Sequence, residues 1–171
     1  MKAEALRALQ APFKALYREA PEKAIITLRA KGELGAEGIT CRLETGRAMA
    51  EAGLHPAAGG DGIALCSGDM LLEALVACAG VTMKAVATAL EVPLRGGTVR
   101  AEGELDVRGT LGVDRNAPVG FRAIRLSFEL DSDATAEQLD TLMRLTERYC
   151  VVFQTLNRRP ELSVAHAVAG G

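Results

Sequence analysis

The sequence has no excess of one charge sign: 20 Lys and Arg stand against 22 Asp and Glu, for a formal net charge of −2, interleaved along 171 residues. It therefore has no basic stripe of the kind that neutralises phosphates or anionic lipid, and neither nucleic acid nor a membrane surface is an expected partner. The opening residues, Met1-Lys2-Ala3-Glu4-Ala5-Leu6-Arg7, lack the uninterrupted apolar stretch of a secretory signal, so export is not expected and the expected location is cytoplasmic. The longest apolar run, roughly Met70 to Met83, is interrupted by Glu73 and closed by Lys84. It falls short of the about 20 residues that a membrane span needs. Paired zinc ligands of the C-x₂-C or H-x₃-H kind are missing, as is a thioredoxin-type C-x-x-C. His55, before Pro56 in a loop, and His166 stand apart and make no metal site; no metal or bound cofactor is expected. The stretch Pro56 to Gly62 has neither a following Lys-Ser/Thr nor G-x-G-x-x-G spacing, which argues against a phosphate loop and for a mobile loop over a site. With no internal repeat and no long linker, residues 1–171 read as one domain with a helical extension over 1–20.

What is present is apolar sequence, about half the chain at 49%. That is enough for a sizeable core in one unit, or in a protomer that completes its core by dimerising. Residues 2 to 18 carry Leu6, Leu9, Phe13, Leu16 and Tyr17 near helical spacing, and Pro21 ends that pattern. Ala24 to Lys31 and Ile39 to Glu44 read as a hairpin around a Gly-rich turn, Gly32 to Gly38, and Gly46 to Gly62 as a loop. Residues 69 to 90 form a helix apolar nearly all round, expected at the centre of the structure and closed by Glu91-Val92-Pro93.

Two strands, Thr98 to Val107 and Phe121 to Leu130, alternate apolar with charged residues, placing Val99, Ala101, Leu105, Val107, Ile124, Leu126, Phe128 and Leu130 inward. A second helix opens at Thr135 with Gln138 three residues on, a capping-box pattern, and runs to about Leu156. A last strand, Leu162 to Val168, follows Pro160. Strands grouped around two long helices give an α+β class.

The four cysteines, Cys41, Cys66, Cys78 and Cys150, are irregularly spaced and fit reduced cytosolic thiols better than a disulfide framework. Cys78 lies within the first long helix and Cys150 within the second, 72 positions on. Their residue types leave two readings: buried, inert thiols, or a redox couple that the fold brings together.

The stretch Ser67-Gly68-Asp69-Met70-Leu71-Leu72-Glu73-Ala74-Leu75-Val76-Ala77-Cys78 resembles the first cysteine motif of the OsmC/Ohr family of organic hydroperoxide reductases. Tyr149-Cys150-Val151-Val152-Phe153-Gln154-Thr155-Leu156 is similar to its second, and the order of elements agrees over about residues 24 to 168. Gly68 stands where the family usually has proline, Asp69 where it usually has Glu, and Val151 where many members have proline. The resemblance implies antiparallel sheets wrapped around two central helices in an intertwined homodimer, with active sites between the subunits. It implies a peroxidase in which Cys78 attacks the peroxide, Cys150 resolves the sulfenic acid into a disulfide, and an external dithiol of the lipoyl type restores both thiols. It also implies an activating arginine from an early strand, held by Asp69; Arg29 is the first choice, with Arg42 and Arg47 behind it. Cys41 and Cys66 match no family position and read as structural. The alternative to peroxidase chemistry is a divergent or non-catalytic dimer that binds a hydrophobic small molecule between its helices.

Elementary chemistry constrains the peroxidase reading. Cys78 lies about 13 Å along the helix from Asp69, beyond the first turn where the macrodipole acts, so its own helix does not activate it. No Lys, Arg or His lies within a turn of Cys78, and a thiol in apolar surroundings resists ionisation. A cation from another segment is therefore expected, and an arginine there would also stabilise the departing alkoxide.

Overall fold

The structure is a computed structural model that describes residues 2–5, 7, 8, 11, 19, 31–34, 40–44, 49–112 and 114–167, with residues before 51 in the strands given by backbone alone. Four strands form the first sheet: β1 (Lys31–Leu34), β2 (Thr40–Glu44), β3 (Met49–Gly53) and β4 (Leu65–Cys66), in that order. β1 and β2 are antiparallel with Leu34 opposite Cys41, a hairpin whose second strand is the expected one. Its first strand is not the expected one, since Gly32 to Leu34, expected in the turn, belong to it, and Ala24 to Ala30 lie outside the described residues. β3 runs antiparallel to β2, with Cys41 opposite Ala52, through a segment expected to be loop. Met-Ala-Glu-Ala-Gly has little strand propensity of its own, and the ladder to β2 imposes the strand. β4 then pairs parallel to β3 and delivers Cys66 to the helix start.

Helix α1 (Ser67–Leu90) takes one apolar stripe inward, Leu75, Ala79, Met83 and Ala87, each one turn after the last. The expectation of burial all round is not met within the chain: Leu71 is 38% and Val81 72% exposed. Among the described residues, one sheet and one pair of helices pack against one side of the helix. At 24 residues α1 is longer than the run read from the sequence, and by length and composition alone it could cross a membrane. Its packed stripe makes it a core helix instead.

That stripe rests on the second sheet, β5 (Gly96–Leu105) and β6 (Phe121–Asp131), antiparallel with Val99 opposite Phe128, Ala101 opposite Leu126 and Gly103 opposite Ile124. A bulge at Glu104 and Leu105 shifts the register, which turns Leu105 outward instead of inward as expected. Val107 leaves the strand for a helical turn, α2 (Val107–Thr110), which Asp106 caps by accepting from the Arg108 N–H at 3.1 Å. A Cβ at Gly103 would stand 2.4 Å from the Phe121 ring, so a larger residue there requires that ring to move.

α3 (Ala136–Tyr149) opens on the expected capping box: Thr135 N–H donates to Gln138 Oε1 at 2.9 Å, and Gln138 N–H donates to Thr135 Oγ1 at 3.3 Å. Leu142 docks it against Met83, Ala87 and Val92. The helix does not continue to Leu156. Cys150 takes an extended conformation, φ −72° and ψ 108°, and a separate short helix, α4 (Val151–Asn157), begins after it. Residues 161–167 are exposed, Val164 at 99%, and the expected last strand is not formed among the described residues. Residues 3–5, 7, 8, 11 and 19 are helical, and Arg7 pairs with Glu91 at 3.1 Å; the rest of the leading segment lies outside the described residues.

Candidate active site

The break at Cys150 builds the site. By ending α3 there and starting α4 one residue later, the chain leaves the first amide N–H groups of α4 without helical acceptors, and they face two sulfurs. Cys78 reaches the same place from the middle of α1. The two thiols meet in one core cluster with Leu75, Ala79, Val99, Ala101, Ile124 and Leu126, and each influences the ionisation of the other. Both are free thiols, Cys78 half-buried and Cys150 buried at 1% exposure.

The two thiols are electrostatically unlike. Burial pushes the Cys78 thiol up, but the Val152 N–H, the Cys150 thiol, the Val151 N–H and the Thr82 hydroxyl all favour its thiolate, and together they hold it below the ordinary thiol range. Burial pushes the Cys150 thiol up, and although the Phe153 and Val152 N–H groups oppose this, the neighbouring Cys78 adds to it, leaving Cys150 above the ordinary range. The donors that sequence reasoning sought as a cation from another segment are, among the described residues, backbone amides of another helix. Thr82 could have been found from spacing, since it lies one turn after Cys78 on the same face of α1. Val151 and Val152 carried no signal, because the helix break that exposes their N–H groups was not visible.

This asymmetry predicts the pH profile of alkylation. In reduced protein titrated with iodoacetamide and read by peptide mass, Cys78 should show a rate midpoint below the about 8.5 of a free thiol, because a lowered pKa keeps thiolate to lower pH. Cys150 should show its midpoint above that value. A Cys78 midpoint at or above the free-thiol value would contradict the site as described.

Residues 59–165 match the family described as OsmC-like protein. The chain belongs to that family. Among solved structures it is similar to an OsmC-like protein from Mycoplasma pneumoniae, with 15% identity over 77% of this chain and 88% of that one and a TM-score of 0.65. It is similar to an organic hydroperoxide resistance protein OsmC from Legionella pneumophila, with 16% identity over 77% and 90% of the two chains and a TM-score of 0.60. The organic hydroperoxide resistance protein OhrB of Bacillus subtilis aligns at 15% identity over 78% and 93%, with a TM-score of 0.54. At these identities the likeness is one of fold. No curated protein sequence matches the chain.

Among the described residues, none of the other side chains singled out by sequence in this OsmC-like protein is brought to the thiol pair. Asp69 is exposed in the first turn of α1, where a carboxylate suits the helix N-terminus, and among the described residues it has no hydrogen bond or ion pair. Arg29 and Arg47 lie outside the described residues, and Arg42 is described only as backbone of β2, opposite Glu33 and Glu51. Cys41 is placed likewise in β2, and Cys66 is the N-cap residue of α1, making no side-chain cap bond. His55 accepts from the Ala57 N–H at 3.0 Å and caps a 3₁₀ turn, Pro56–Ala58. That turn packs near α2 rather than over Cys78, and Gly59 closes it at φ +92°.

Proposed function

We propose that this OsmC-like protein is a thiol peroxidase for organic hydroperoxides, with Cys78 the peroxidatic thiol and Cys150 the resolving one. The observation that supports it most is the meeting of the two sulfurs at the head of α4, with one thiolate favoured and the other thiol held protonated. The Cys78 thiolate attacks the hydroxyl oxygen of ROOH, the O–O bond breaks, and the alkoxide leaves and takes up a proton, giving ROH and a Cys78 sulfenic acid. The Cys150 sulfur then attacks the sulfenic sulfur; its proton leaves with the hydroxyl as water, and a disulfide forms. An external dithiol, lipoyl-type in this reading, gives two electrons and two protons to regenerate the thiols and becomes a disulfide itself. Arg29 supplies the guanidinium that stabilises thiolate and alkoxide, and Asp69 orients it.

The same reading makes the whole chain one OsmC-like domain, working in the reducing cytoplasm as a homodimer. The uncovered apolar face of α1, with Val81 72% exposed, and the exposed Leu162 and Val164 support a second copy completing the core. A free-thiol count and intact mass before and after one equivalent of cumene hydroperoxide test the chemistry. Wild type should lose two thiols, and Cys150→Ser should hold a sulfenic acid on Cys78. No change in either protein would sink the peroxidase and favour a dimer that binds an apolar small molecule.

A further inference from the structure

A cavity of about 280 Å³ opens beside the thiol pair, between the β5–β6 sheet and α3. Its walls are apolar, with Leu126, Phe128, Met143 and Phe153, and of the two cysteines only Cys150 lines it. Thr146, 2% exposed, also lines it, and its hydroxyl has no hydrogen-bond partner among the described residues. At the mouth stand Arg144 and Glu147, both exposed and neither in an ion pair among the described residues.

We propose that this cavity is the reductant's port: a slender small-molecule dithiol enters between β6 and α3 and attacks the Cys150 sulfur of the Cys78–Cys150 disulfide. This inference rests on the peroxidase reading only for the disulfide it acts upon. In the exchange the incoming thiolate forms a new S–S bond with Cys150, the Cys78–Cys150 bond breaks, and Cys78 leaves as a thiolate. The second thiol of the reductant then displaces Cys150, which takes a proton, and the reductant departs as a cyclic disulfide. The direction of attack also suits the leaving groups, because attack at Cys150 expels the sulfur whose thiolate the amides of Val151 and Val152 favour, whereas attack at Cys78 would expel the disfavoured one.

The test installs the disulfide with diamide, so it does not depend on peroxide reduction. Oxidised wild-type protein is mixed with 2-mercaptoethanol, quenched early with N-ethylmaleimide, and digested. The expected product carries mercaptoethanol on Cys150 and maleimide on Cys78, and mercaptoethanol on Cys78 would overturn the proposal while leaving the peroxidase intact. In a second measurement Met143→Trp, which fills the cavity, should slow reduction by dithiothreitol at least tenfold, and an unchanged rate would overturn it. If Met143→Trp does not fold, the adduct position in the wild type still decides. Failure of diamide to join Cys78 to Cys150 would overturn both this inference and the peroxidase reading.

Discussion

Cys78→Ser is expected to lose cumene hydroperoxide turnover by on the order of 10³-fold or more, because a hydroxyl at that site is neither ionised nor nucleophilic enough to cleave the O–O bond. Cys150→Ser is expected to behave differently. It leaves the Cys78 thiolate its Val152, Val151 and Thr82 donors, so the first equivalent of peroxide is still reduced, but no disulfide forms. Steady-state turnover with a dithiol then collapses, and Cys78 advances to sulfinic acid as peroxide accumulates. Mass analysis of Cys78 after one and after ten equivalents separates the cases: a sulfenic acid, then a sulfinic acid, in Cys150→Ser, and a disulfide in the wild type. Equal losses in first turnover for the two variants would mean that the thiols act as one unit, and the division into attacking and resolving roles would fall.

The parts of this site that were legible in the sequence are those whose cause is local. α1 was legible because its apolar run is too long for a strand, and the start of α3 because Thr135 and Gln138 cap each other at fixed spacing. What was not legible depends on partners distant in the chain. β3 is a strand because β2 lies beside it, and Leu105 points outward because a bulge one residue back changes the register. The break at Cys150 is the consequential miss. Tyr149-Cys150-Val151-Val152 has no Gly or Pro to end a helix, yet the extended backbone at Cys150 frees the amides that distinguish the two thiols. Spacing alone left Cys78 and Cys150 as either inert core or redox pair, and the family resemblance was needed to join them. Their meeting is a property of how α3 docks on α1.

That docking gives the second large effect. Leu142 is wholly buried on α3, and it holds the helix against Met83 and Ala87 of α1 and against Val92. Few side chains in the described chain are so fully enclosed; Leu75, Thr146 and Cys150 are the others among the largest. Leu142→Ala should therefore cost about 3–5 kcal/mol in denaturant unfolding at fixed protein concentration, the range for a leucine whose site collapses poorly. Against a total of about 5–15 kcal/mol this is a large fraction. It should also slow disulfide formation after peroxide, since Cys150 is placed against Cys78 by the helix that Leu142 anchors. Val164→Ala is the comparison. Within one chain Val164 is 99% exposed, so its loss should be within about 0.5 kcal/mol unless a second copy covers it. A larger loss, with a wild-type stability that falls on dilution, would report that covering copy, while a Leu142→Ala cost under about 1 kcal/mol would show that α3 is not held to α1 by this contact.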